Sequence, residues 1–247
     1  IAAQAIATLL EMFPDRLEIA LGSGEALNES ITGTPWPEKS KRNERLVECY
    51  HIMTRLLRGE KVSHEGLVKV KDAQLYTRPT VAPKLMCAAI TEETARWAGK
   101  WADGLLTIHY EESQAKKIIK AFRENGGEGK PMHVQMAISY ARDEETAIEG
   151  GYDQWRSNIL DPKDLGDLPT VEQFDAKSEK MTREDVKSKI TISSDVNKFI
   201  DMIQMNQELG YSNIIIHNVN KDQTTFIDDF GAQVLPVFKR QTIYANS

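Results

Sequence analysis

The chain has 247 residues, 40% of them hydrophobic, and 31 lysines and arginines stand against 37 aspartates and glutamates, for a formal net charge of -6. This composition predicts a globular protein with a large core, and the acidic balance disfavours a nucleic-acid partner, which would need a basic face. The longest apolar runs fall far short of the ~20 residues that a membrane span requires. We therefore expect a cytoplasmic protein without a membrane partner.

Helices and strands alternate along much of the chain, as in a parallel sheet wrapped by helices. A hairpin is predicted between residues 61 and 76. The predicted helices span residues 2–12, 39–57, 113–125, 196–209 and 224–239. The five predicted core strands span residues 17–21, 84–89, 104–108, 133–140 and 213–217.

In the helix over residues 39–57, an apolar stripe should face the core and Arg42 should face water. The chain has two cysteines, Cys49 and Cys87. One is predicted on the apolar face of this helix and the other in a strand, so we expect buried free thiols. The histidines show no ligand spacing with one another or with cysteine, and no metal site is predicted.

The regular alternation fails between Gly151 and Lys189, where prolines, glycine and many charges interrupt it. We interpret residues 151–189 as an insertion or lid of helical pieces within a single domain that spans residues 1–247. The alternation resumes with Ser194 as a helix cap.

A glycine-rich string, Gly22-Ser23-Gly24-Glu25-Ala26-Leu27-Asn28-Glu29, directly follows the first predicted strand. Two glycines after a strand let the backbone approach a flat ligand closely, and Glu25 then projects into the space beyond the strand. By spacing alone this signal is weak, because glycines at such a position more often only turn the chain into a helix.

The whole string, with Ile31-Thr32-Gly33 and Trp36-Pro37 after it, closely resembles the luciferase-like flavin and deazaflavin oxidoreductases. The resemblance is strongest to the branch that contains the glucose-6-phosphate dehydrogenases dependent on the deazaflavin coenzyme F-420. It continues through Ala88-Ala89 to Ala102-Asp103-Gly104 and then more weakly to the carboxy terminus.

The resemblance implies an α/β fold, the (β/α)8 TIM barrel of the bacterial-luciferase type. Five strands are too few for eight. Compared with the family, the chain begins inside the helix before the fourth strand, so we expect the first three βα units to be absent. The chain would then be truncated, cleaved, or completed by another copy, since an open barrel leaves strand edges unpaired.

The resemblance also implies roles for single residues. Glu25 matches a glutamate proposed to act as general acid or base on the substrate side of the cofactor; the alternative is a carboxylate that only serves the amides at a helix start. The residues implied in cofactor binding are Ser23, Gly24, Asn28, Ala88, Ala89 and Ile90. Asn28 is equally well interpreted as a surface asparagine.

His109 and His217 follow strands and are candidates for substrate binding, although a lone histidine at such a place is more often structural. Two departures from the family concern phosphate. Thr91-Glu92-Glu93 puts acids where a cofactor phosphate is expected, and Glu111-Glu112 puts acids near the expected substrate phosphate. Glucose 6-phosphate is therefore not predicted as the substrate, and Lys187 is best interpreted as a solvated lysine.

From the resemblance we expect an oxidoreductase that uses FMN or the deazaflavin coenzyme (F-420), by hydride transfer or monooxygenation of a small-molecule substrate. The sequence does not decide between the two cofactors. A homodimer is the family's habit and would help cover exposed strand edges. The alternative is a catalytically inactive barrel fragment or partner subunit.

Overall fold

The computed structural model describes residues 1–239. The strands are β1 Ile19–Leu21, β2 Val62–Glu65, β3 Lys69–Ala73, β4 Leu85–Ala88, β5 Leu105–Ile108, β6 Met132–Tyr140, β7 Thr191–Ser193 and β8 Asn213–Asn218. The helices are α1 Ala2–Met12, α2 Ala26–Glu29, α3 Lys39–Leu57, α4 Glu92–Gly99, α5 Glu112–Phe122, α6 Glu144–Trp155, α7 Pro162–Asp167, α8 Val171–Ser178, α9 Arg183–Lys187, α10 Val196–Glu208 and α11 Gln223–Asp229.

The chain divides into two compact units. The first unit consists of Ile1–Gly24, Pro35–Thr107 and Ser113–Met132. The second unit consists of Glu25–Thr34, Ile108–Glu112 and the chain from His133 onward.

In the first unit, β1, β4 and β5 lie side by side and run parallel. The helices α1 and α3 supply the core against them, because each buries an apolar stripe at helical spacing. The strands β2 and β3 form the antiparallel hairpin expected from the sequence. The helices predicted over residues 2–12 and 39–57 are confirmed with the same bounds.

In the second unit, β6 pairs in parallel with both β7 and β8. Its core is aromatic: Tyr140 contacts Phe199 and Phe230 with ring centroids 6.0 and 5.4 Å apart. Such edge-on pairs add to the burial of apolar area. The segment 151–189 folds into short helices, and its function as a lid stays a prediction.

Three expectations from the sequence are wrong. A sixth strand, β7, is present in addition to the five predicted ones, and its three residues pair with Ile138–Tyr140. The sequence did not predict it, because three residues are too few to show a hydrophobic period. The cap of α10 is Asp195, whose side chain accepts from the N–H of Asn197, and not Ser194. Arg42 is only 5% exposed, because its guanidinium lies 4.3 Å from the ring centre of Trp36.

The helix predicted over residues 196–209 is confirmed as α10, and the one over 113–125 ends as an α-helix at Phe122 before a wider turn over Arg123–Gly127. Within residues 1–239 no helix has both the length and the apolar character needed to cross a bilayer. Cys49 and Cys87 are free thiols in the described chain, and burial raises the pKa of Cys87 to about 12.

Candidate functional site

Two of the predicted cofactor segments leave the same edge of the sheet in the first unit. The strands β1 and β4 are parallel neighbours with Leu21 opposite Cys87. Gly22–Gly24 therefore follow the carboxyl end of β1, and Ala88–Ile90 begin at the last residue of the adjacent β4. Ligands of parallel α/β sheets bind at this end.

The backbone at Gly22 borders open space. A Cβ built there would meet no atom of the described residues within 4 Å, and Gly24 adopts a φ of +83°, which a residue with a side chain rarely takes. A flat ligand can therefore approach the main chain at this loop.

The second segment, Ala88–Ile90 with the start of α4, provides fewer groups for a cofactor than the sequence predicts. The N–H of Ala89 donates to the carbonyl of Leu106 at 2.9 Å, so this amide is used within the sheet. Thr91 caps α4 by accepting from the N–H of Thr94, and Glu92 pairs with Arg96 at 2.9 Å. The acids at the start of α4 are thus built into the helix, and a phosphate there would meet negative charge.

Glu25 and Asn28 are brought together. Glu25 is exposed, has an extended backbone (φ -135°, ψ 141°) and is the N-cap of α2. Its side chain makes no cap hydrogen bond to α2 in the described structure; instead Asn28 Nδ2 donates to Glu25 Oε2 at 3.3 Å. The carboxylate makes no hydrogen bond to the helix amides, and both interpretations of Glu25 stay predictions.

His109 directly follows β5, and its backbone N–H donates to the backbone carbonyl of Gln135 at 2.9 Å. Its ring contacts the amide of Asn206 on α10, with 3.0 Å between His109 Nδ1 and Asn206 Nδ2. Burial lowers the pKa of His109, which favours the neutral imidazole. The ring is held from one side by a residue that the sequence analysis did not select.

His217 lies near the end of β8, with its ring edge-on to Trp155 at a centroid distance of 5.1 Å. Its Nδ1 is buried and has no hydrogen-bond partner within residues 1–239. A buried polar atom without a partner is costly unless a ligand or water reaches it.

Most of the predicted site residues follow strands, whereas Ala88 is the last residue of β4 and His217 lies within β8; their roles in binding and catalysis stay predictions. Sequence reasoning missed Asn206 and Trp155. A signal existed for Asn206, because it continues the buried stripe of Phe199 and Ile203 at helical spacing while being polar. Trp155 contacts His217, which is distant in the sequence, and no local pattern shows such a contact.

Two charged positions singled out from the sequence are an exposed acid and a paired lysine. Glu111 is exposed next to Tyr110, and Lys187 pairs with Glu184 at 3.1 Å on the same short helix. This contact supports the interpretation of Lys187 as a surface lysine. Among residues 1–239 no group of three or more His, Cys, Asp or Glu side chains is arranged to hold a metal ion.

A parallel α/β sheet with candidate groups at the carboxyl ends of its strands is the arrangement found in barrel-type enzymes. Residues 1–213 match the family model described as luciferase-like monooxygenase. The chain belongs to this family. The predicted fold class, the TIM barrel of the bacterial-luciferase type, is confirmed, while the absence of three βα units stays a prediction.

A relative from Microbacterium testaceum, named an F-420-dependent glucose-6-phosphate dehydrogenase, is 27% identical over 98% of this chain and 74% of its own length. A solved F-420-dependent secondary alcohol dehydrogenase, in complex with an F-420–acetone adduct, is similar at a TM-score of 0.81. It is 24% identical, and the match covers 93% of this chain and 72% of that one.

A third similar protein is the coenzyme F-420-dependent tetrahydromethanopterin reductase from Methanopyrus kandleri, with a TM-score of 0.73 and 20% identity over 96% of this chain and 78% of that one. The predicted class of function is confirmed: the chain is an oxidoreductase of a flavin- and deazaflavin-dependent family.

Proposed function

We propose that this protein transfers a hydride between the deazaflavin coenzyme F-420 and a small organic substrate, with Glu25 as the general acid or base. The observation that carries the proposal is the Glu25 carboxylate, which is exposed after β1, oriented by Asn28 and unused by the amides of α2. The choice of F-420 over FMN is supported by relatives that are named for F-420.

The residues fit such a cofactor at one loop. Open space beside Gly22 and the left-handed backbone at Gly24 leave room for a flat ring against the main chain, and Ser23 between them supplies a hydroxyl. When bound, the deazaflavin supplies a two-electron hydride acceptor or donor, and the protein supplies orientation and proton transfer.

The proton chemistry falls to Glu25. One carboxylate oxygen would accept the proton of a substrate hydroxyl during oxidation, or return it to a carbonyl oxygen during reduction. Asn28 Nδ2, 3.3 Å from Oε2, holds the carboxylate in one orientation, so that Oε1 is the oxygen left for the substrate.

The proposed substrate carries no phosphate. Glu111 and Glu112 follow β5, where a dianion would be repelled, and Lys187 is engaged with Glu184. We also propose a cytoplasmic homodimer, as predicted from the sequence. Size-exclusion chromatography with light scattering tests the dimer.

The test of the function is a titration of the 247-residue chain with F-420 and with FMN, followed by visible absorbance and calorimetry. If the gene encodes further residues, the longer product is titrated beside it. We expect stoichiometric binding of F-420 and at least tenfold weaker binding of FMN. Tighter binding of FMN would transfer the proposal to flavin chemistry.

If neither protein binds either cofactor, the alternative from the sequence analysis replaces the proposal. The chain would then be a barrel fragment or partner subunit without redox activity. Circular dichroism of the same samples shows whether a failure to bind comes from a failure to fold.

A further inference from the structure

Asn206 is a buried amide at the carboxyl-terminal end of the apolar face of α10. It is 1% exposed and lies on α10 in line with Phe199 and Ile203. A polar side chain at such a place costs free energy unless its hydrogen bonds are made inside the protein. The hydrogen bonds of Asn206 therefore indicate its role.

The orientation of this amide is determined by a main-chain carbonyl. Asn206 Nδ2 lies 2.7 Å from the carbonyl oxygen of Met202, which can only accept a hydrogen bond. A flipped amide would set Asn206 Oδ1 against that oxygen, so the nitrogen must face Met202. One of the two amide hydrogens is used there.

The second amide hydrogen determines the tautomer of His109, because the remaining contact of Asn206 Nδ2, Met136 Sδ at 3.6 Å, is a weak acceptor. Asn206 Nδ2 is 3.0 Å from His109 Nδ1, whereas Asn206 Oδ1 is 3.5 Å away. Since Nδ2 is a donor, Nδ1 must be the acceptor, and a neutral imidazole then carries its proton on Nε2. A proton on Nδ1 would face the amide hydrogens directly.

We propose that Asn206 is a positioning residue that holds His109 as the Nε2-protonated neutral imidazole, so that His109 presents an N–H donor to an uncharged substrate oxygen. The second half of this inference rests on the proposed function; the first half does not. His109 follows β5 at its carboxyl end, and the neighbouring Glu111 disfavours an anion there.

The chemistry of recognition follows from the tautomer. A neutral N–H donor pairs with a carbonyl or hydroxyl oxygen, and it strengthens as negative charge develops on that oxygen. It offers no full positive charge to a phosphate. The substrate class is therefore a neutral alcohol or the corresponding carbonyl compound.

The test is long-range ¹H–¹⁵N NMR of the protein labelled in its histidine rings, which reports the tautomer of each ring without cofactor or substrate. We expect His109 to show an unprotonated Nδ1 and a protonated Nε2. The ring signals of His51, which is exposed on α3, serve as the reference for those of His109 in the same spectrum. A protonated Nδ1 in His109 would overturn the inference.

Two variants show whether Asn206 causes the tautomer. Asn206→Asp replaces the donor with an acceptor and should move the proton of His109 to Nδ1, whereas Asn206→Ala should give a mixture. Asn158→Asp, exposed in the same unit, should change nothing. An unchanged His109 tautomer in folded Asn206→Ala would overturn the assignment, even if Asn206→Asp does not fold.

The recognition half is tested by adding probes to the labelled protein. Acetone and 2-propanol should shift the Nε2 signal of His109, and inorganic phosphate should not. A response to phosphate alone would overturn the proposed substrate class while leaving the tautomer intact. Failure of the cofactor titration would instead remove the proposed function and leave the tautomer result standing.

Discussion

The hydroxyl of Tyr50 donates to Asp103 Oδ1 at 3.0 Å, and Asp103 Oδ2 accepts from the N–H of Leu85 at the same distance. One carboxylate therefore ties helix α3 to the first residue of β4. Asp103 belongs to Ala102-Asp103-Gly104, one of the stretches by which the sequence resembles its family. Its contacts explain that stretch by packing rather than by catalysis.

Replacing Tyr50 with phenylalanine should lower the free energy of unfolding by about 1–3 kcal/mol, because a hydrogen bond to a charged group is lost in a buried setting. Urea unfolding measures the change. Tyr76→Phe is the control, since Tyr76 is 91% exposed and should give no change. Equal stability of the Tyr50 variant and the wild type would show that Asp103 is held by Leu85 alone.

Within the second unit, the Asp229 carboxylate binds Tyr140, the last residue of β6, and Arg142, which follows it. Its oxygens accept from Arg142 Nε at 2.8 Å, from Arg142 Nη2 at 2.9 Å and from the hydroxyl of Tyr140 at 2.7 Å. These hydrogen bonds, first those of Arg142, lower the pKa of Asp229 to about 2. A depressed carboxyl pKa stabilises the fold above the unfolded pKa of about 3.9.

Asp229→Asn should therefore be less stable than the wild type at neutral pH, and the difference should shrink as the pH falls from about 4 toward 2. Urea midpoints measured across this range test the expectation. Asp228→Asn, exposed beside it, should show no such pH-dependent difference. A gap that stays constant with pH would assign the loss of Asp229 to packing and not to its charge.

The sequence predicts this protein well where a pattern is local. Apolar spacing gives α1 and α3 with their bounds. Prediction from the sequence fails where the structure depends on a contact that no local pattern shows. The three residues of β7 form a strand by pairing with Ile138–Tyr140. The guanidinium of Arg42 is buried and packs 4.3 Å from the ring centre of Trp36.

The candidate site shows the same division. The position of Glu25 at the exit of a strand follows from the glycine-rich string, but the contact between His109 and Asn206 spans 97 residues. A buried amide in an apolar stripe is visible in the sequence, whereas its partner is not. Sequence reasoning therefore finds the loops of the site more readily than the residues that support them.

Glu25→Gln should lower kcat at least about 10²-fold and leave the affinity for F-420 within a few-fold, because the amide keeps the shape but cannot take up a proton. Steady-state kinetics and the cofactor titration measure the two effects. Glu38→Gln is a matched control, since Glu38 is also an exposed N-cap glutamate without a cap bond in the described structure. An equal loss in both variants would remove Glu25 from the proposed chemistry.

Gly104→Ala should destabilise the first unit. A Cβ at Gly104 would lie 2.8 Å from the carbonyl oxygen of Pro131 and 3.0 Å from the terminal carbon of Met86. The methionine can move, but the Pro131 carbonyl accepts from the N–H of Leu105 at 3.0 Å, so its displacement weakens a hydrogen bond that β5 needs. Overpacking of this kind costs about 1–3 kcal/mol.

The matched control for this change is Gly231→Ala, where a Cβ would meet no atom of the described residues within 4 Å. Alanine there should be neutral or stabilise by up to ~1 kcal/mol, since it restricts the unfolded chain more than glycine does. Urea midpoints at an unchanged slope compare the two variants. Equal stability of Gly104→Ala and Gly231→Ala would mean that β5 moves away from Pro131 at no cost, and that Gly104 is not required by packing.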